Sequence, residues 1–138
     1  MALSQNTPAK LDIGDFEEFN IVGSGCVIYE GAAVGLITGT KLARPLNARD
    51  QFAGHAQFKV DNTLGVSTKR VQTRRKFYQQ QVSVPSVAVT SIDGAVYMSD
   101  DGTYTLTETA TTTLVGKVVR YVSSGVAIVE FEPLISNL

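Results

Sequence analysis

The sequence predicts an all-β fold, a jelly-roll-like sandwich or a barrel, and three observations carry that expectation. Eight to nine short strand candidates follow one another with Gly and Pro turns between them. Several alternate between apolar and polar residues, the period of a strand with one face buried. No stretch carries the 3.6-residue apolar repeat of an amphipathic helix, and the TATTT run at 109–113 is rich in β-branched Thr, which disfavours one.

In chain order, residues 1–20 read as an extended N-terminal arm rather than as core. Pro8 and Gly14 interrupt them, and Asp12, Asp15, Glu17 and Glu18 make them acidic. They also carry Leu3, Leu11, Ile13, Phe16 and Phe19, more apolar side chains than an idle polar terminus holds. Such an arm is expected to order against a partner by adding a strand or draping its apolar residues. Residues 21–138 then form a single β domain. Within it, Gly23 and Gly25 bracket a turn, residues 26–30 form a strand, and Gly31 and Gly35 bend the chain before Leu36 and Ile37. Residues 41–50, KLARPLNARD, read as a polar connector around Pro45. Residues 52–60, FAGHAQFKV, read as a strand turned by Asp61-Asn62. Residues 79–91 alternate again, with Val82 and Val84, then Val87 and Val89, as strands broken at Pro85.

Residues 94–133 read most clearly, as an antiparallel meander. A β-branched and aromatic run at 95–99 is followed by Asp100-Asp101-Gly102, a hairpin signal because Gly accepts positive φ. At 103–107, Tyr104 and Leu106 point one way and three Thr the other. Residues 114–122 form the next strand, Ser123-Ser124-Gly125 the next turn, and residues 126–132 the last strand. There Ala127, Val129 and Phe131 share a face opposite Glu130 and Glu132, and Pro133 ends the ladder. A single sheet cannot bury itself, so the preceding strands must cover this apolar face.

The chain has 138 residues, which fits one domain able to bury a core without disulfides or metals. Cys26 is the only cysteine, so no internal disulfide framework exists. Charged residues make up 18%, low against the roughly 25% usual in soluble proteins, and this suggests a surface meant to be covered in part. A formal net charge of −1 does not suit a basic nucleic-acid binder. No apolar run is long enough for a membrane span, and the N-terminus lacks the apolar core of a secretory signal.

The chemistry-bearing residues are sparse. The GLITGTK segment at 35–41 has three residues between its glycines, where a phosphate-binding P-loop has four, and no Ser or Thr after the Lys. Gly23-Ser24-Gly25 lacks the third glycine and the following helix of a dinucleotide site. These glycines are better explained as bulges and tight turns. His55, the only histidine, has no second His or clustered acid near it in sequence and reads as a strand residue. No enzymatic activity, cofactor or metal is expected. The strongest charge feature is Lys69, Arg70, Arg74, Arg75 and Lys76, five of the twelve basic residues. This stretch reads either as a charged strand edge that blocks unwanted pairing or as a docking patch for an acidic surface, such as a partner protein or a neighbouring copy's arm. Nucleic acid is the weaker reading, since no stacking platform surrounds Phe77 and Tyr78.

Five phrases occur in order: CVIYEGAAVG (26–35), LARPL (42–46), FAGHAQFKVDNT (52–63), AVYMSDDGTYTL (95–106) and VGKVVRY (115–121). Together they resemble the capsid cement, or head-decoration, proteins of tailed bacteriophages, over roughly residues 21–132. The resemblance implies a small all-β protein with a jelly-roll or β-tulip fold. It also implies a non-enzymatic role on the outside of the phage head, where an oligomer binds the major capsid protein, bridges neighbouring capsomers and holds the shell against packaged DNA. The family shares no binding motif, so the expected partner-binding residues come from this chain alone: the apolar arm residues and the basic stretch named above. Dimers and trimers are both compatible with the sequence. A carbohydrate- or receptor-binding β module is the alternative, weakened by dispersed aromatics and the absence of Trp.

Overall fold

The computed structural model describes residues 16–21, 25–65, 69–74 and 76–135. The expectations placed on Leu3, Leu11, Ile13 and Arg75 lie outside the described residues. In chain order the strands are β1 (Phe16–Asn20), β2 (Cys26–Ile28), β3 (Ala33–Leu36), β4 (Ala43–Pro45), β5 (Gln51–His55) and β6 (Val60–Asn62). They continue with β7 (Arg70–Arg74), β8 (Tyr78–Ser83), β9 (Ala95–Met98), β10 (Tyr104–Thr105), β11 (Thr113–Ser123) and β12 (Val126–Phe131). One 3₁₀ turn, Val89–Ser91, is the single helical element among the described residues.

The fold is all-β. One antiparallel sheet has the order β10-β9-β11-β12-β8, a second the order β4-β3-β5, and two ribbons pair β1 with β7 and β2 with β6. Among the described residues no sheet closes on itself, so the expectation of a barrel is replaced by an open stack. The small sheet is the middle layer, and side-chain alternation explains why. Ala33 and Phe52, with Leu46, face a first core against Val96, Met98, Val115, Val118, Val129 and Phe131 of the five-stranded sheet. Val34, Leu36, Ala43 and Ala53 face a second core against Ile21, Ile28 and Val71 of the ribbons. Strands covered on both sides carry continuous runs of small and apolar residues: AVGL in β3 is buried throughout.

A bulge sets the faces of β5. Val34 pairs with Gly54, but Gly35 pairs with Phe52, leaving Ala53 as the extra residue. Gly54 takes φ 110°, a conformation open to glycine. A strict period of two would send Phe52 and His55 to opposite faces. The bulge puts both on the first core, with their rings edge-on at 5.5 Å.

Several sequence expectations are corrected. Residues 94–133 are not a simple meander, because β11 pairs with β9 and leaves β10 on the outside. The β10 strand is only two residues long, and a Thr-rich turn returns the chain to β9's other side. In that turn the Thr109 N–H donates to Thr112 Oγ1, which donates back to the Thr109 carbonyl. Gly102 does not use positive φ. Instead Asp100 Oδ1 accepts the N–H groups of Gly102 and Thr103 and closes the hairpin as an Asx turn. The expected connector at 41–50 contains β4 and an ion pair between a half-exposed Arg44 and a buried Asp50. Arg44 donates from Nε and Nη2 to both oxygens of Asp50, at 2.9 and 2.8 Å. Asp50 fits because Gly35 lies opposite it: a Cβ there would stand 2.6 Å from its Oδ2. The strand expected at 52–60 splits into β5 and β6, and Val89 lies in the 3₁₀ turn instead of a strand.

Candidate partner-binding surface

The two segments singled out from sequence meet. Phe16 to Asn20, the described part of the arm, lies antiparallel to β7 in the basic stretch, with Phe16 opposite Arg74, Glu18 opposite Gln72 and Asn20 opposite Arg70. Phe19 and Val71, opposite one another, pack on the second core. Phe16, Glu18, Asn20 and Arg70 are exposed. An isolated Ala56↔Thr73 bridge ties the ribbon to the end of β5, and an Ile21↔Ala43 bridge ties it to β4. Among the described residues no strand pairs with the outer edge of β1.

The basic side chains engage their own molecule. Arg70 Nη1 lies 3.7 Å from Glu18 Oε2, and Arg70 Nε donates to Asn20 Oδ1 at 3.1 Å. Lys69 Nζ donates to the Asp61 carbonyl. The Arg74 guanidinium lies over the Phe16 and Tyr78 rings, 6.0 and 5.6 Å from their centres. Lys76 is exposed. Exposed ion pairs of this kind hold little energy, so backbone pairing and the second core hold the ribbon instead. The outward face is therefore a mixed surface of Phe16, acids and bases, in place of a purely cationic strip.

Sequence reasoning missed three exposed apolar residues at the β2–β6 ribbon. Tyr29, Phe58 and Leu64 are 59%, 63% and 89% exposed, and Lys59 Nζ sits 5.3 Å from the centre of the Tyr29 ring. The legible signal is an aromatic set among polar neighbours, Gln57-Phe58-Lys59, next to a turn. A groove of about 420 Å³ also crosses the outer face of the five-stranded sheet. Ala95, Leu114 and Gly116 line it with Phe77 and Ile135, and Asp93, Lys117, Glu130 and Glu132 supply charge.

His55 is 3% exposed and belongs to the packing. Tyr78 Oη accepts the His55 backbone N–H at 3.0 Å and lies 2.5 Å from Nδ1, while Tyr104 Oη lies 2.8 Å from Nε2. Both ring nitrogens of His55 are therefore hydrogen-bonded, one to each phenol. Burial holds the imidazole neutral, lowering its pKa to about 4. Burial likewise raises the Tyr78 phenol and pushes Tyr104 up to about 12. Burial also raises the half-buried Cys26 thiol, which keeps it protonated and poorly nucleophilic. Among the described residues no three His, Cys, Asp or Glu side chains gather as a metal site. Compared with known proteins, the chain matches no family model, no curated protein and no solved structure.

Proposed function

We propose that this chain is a capsid cement protein, an oligomer that binds the outer surface of a tailed-phage head, contacts the major capsid protein, and bridges capsomers. In this reading the layered stack is a jelly-roll-like sandwich serving as a rigid spacer. One observation carries the proposal: the arm and the basic stretch, some fifty positions apart in sequence, lie side by side as one surface ribbon with an open outer edge. An extended segment of a partner can add to that edge through backbone hydrogen bonds, while Phe16 supplies apolar contact and the charges set orientation. Each copy needs only weak contacts, because many copies touching adjacent capsomers bind with avidity.

The test is co-sedimentation with purified empty heads. Phe19 and Ile21 belong to the second core, so the informative truncation removes residues 1–15 and leaves β1 in place. The shortened chain is expected to keep its melting temperature and lose most head binding. Undiminished binding by that chain would remove the arm from the mechanism. Exposed Tyr29 and Phe58 favour a second reading, a carbohydrate-binding module, and specific retention on a glycan array would support it.

A further inference from the structure

Strand β8 ends the five-stranded sheet, and its free edge differs from every other edge among the described residues. The β10 edge is two residues long and those of β2 and β6 three, β1 carries Glu17 and Glu18, β4 carries Arg44 and Pro45, and β7 carries Arg70 and Arg74. The β5 edge is bridged to Thr73. By contrast β8 reads YQQQVS: six residues, no charge, no proline, and an unbroken register with β12. Natural sheets guard long edges with charge, proline or bulges. This edge has none of them.

The hydrogen-bond phase of β8 is fixed by its neighbour. The Val84 N–H donates to the Gly125 carbonyl in line with the β8–β12 register. Antiparallel alternation then turns the backbone groups of Tyr78, Gln80 and Val82 toward β12, and those of Gln79, Gln81 and Ser83 outward. All three outward residues are exposed.

We infer that β8 is a self-association edge that pairs antiparallel with β8 of a second copy, about a two-fold axis at Gln81. Gln81 then faces its own counterpart, and Gln79 faces Ser83 of the second copy. Three residue pairs, each exchanging two backbone hydrogen bonds, make about six across the interface. Every facing side chain is neutral and able to donate and accept, so the edge complements itself. The next pair sets Phe77, 62% exposed, against the exposed Pro85 of the second copy. Proline at that outward position lacks the donor that would extend the ladder and so ends it. The result is one ten-stranded sheet running through a dimer, an isologous contact of the kind closed dimers use.

The experiment is sedimentation of the full chain across a dilution series, with Gln81→Lys and Gln81→Glu. The wild-type chain is expected to show a concentration-dependent dimer. Each charged variant sets like charges against each other at the axis and should self-associate about tenfold more weakly or worse. At concentrations where all three chains are monomeric their melting temperatures should match, because Gln81 is exposed. Mixing the two variants in equal amounts should restore the dimer, since Lys then faces Glu. A wild-type chain monomeric at every concentration would overturn the inference. So would a dimer or trimer indifferent to both charges, or a mixture that fails to recover. No shell is present in this assay, so dimerisation without head binding, or the reverse, separates this inference from the proposed function.

Discussion

His55 joins three strands through its ring: β5 carries it, Tyr78 on β8 hydrogen-bonds one nitrogen, and Tyr104 on β10 hydrogen-bonds the other. Protonation makes both nitrogens donors and puts a charge on a ring that burial has taken out of water. The linkage has a definite sign. The pKa is about 4 in the fold against an ordinary 6.5, so below pH 6.5 the unfolded chain takes up a proton that the fold refuses. Stability present above pH 6.5 should fall by about 3 kcal/mol as pH drops to about 4, then level off. Asp61 and Asp100, whose carboxyls accept backbone N–H bonds and are held below the ordinary value of 3.8, add their losses only below that pH. Urea melts between pH 7 and 4 should show this slope in the wild type and a flatter one in His55→Gln; equal slopes would contradict the assignment. From sequence, His55 reads as a strand residue, and it is one. Its face was not legible, because the bulge at Ala53-Gly54 depends on Gly35 pairing with Phe52, a contact across the sheet that local alternation cannot encode.

At the scale of elements, the β11–β12 hairpin was the most legible part of the chain. Its apolar face of Ala127, Val129 and Phe131 is fully buried as the alternation requires, and Gly125 takes φ 75° in the turn between the strands. Gly116 shows what alternation does not reveal. A Cβ there would stand 2.0 Å from the Glu130 carbonyl oxygen, so the two backbones meet where no side chain fits. Gly116→Ala should cost about 3 kcal/mol or more by forcing the hairpin apart. Gly102→Ala, at a site with nothing within 4 Å, should change stability by less than about 0.5 kcal/mol. Thermal melts of the pair check this; equal losses would mean that Gly116 is not a packing contact. Illegible too was the Arg44–Asp50 pair. Six positions apart in a stretch that looks like a polar linker, the two charges are held together by β4 turning back beside β3.

At the scale of the molecule, two cores share one middle sheet, and the ribbons that close the second core are also its outermost surface. Sequence marked both strands of the β1–β7 ribbon as partner-binding for separate reasons: apolar residues in an acidic arm, and a cluster of bases. It could not show them paired, because antiparallel register between residues fifty apart is set by the fold between them. On the proposed reading this arrangement ties docking to stability, since Phe19 and Val71 seal the core from the ribbon's inner face while Phe16 and Glu18 face outward. Binding to a shell of repeating capsomers has a signature that adsorption lacks. Titrating the full chain onto purified empty heads and counting pelleted copies per head should give a saturable isotherm that stops at a fixed number set by the shell's symmetry. Binding that never saturates, or no binding at any concentration, would contradict the account.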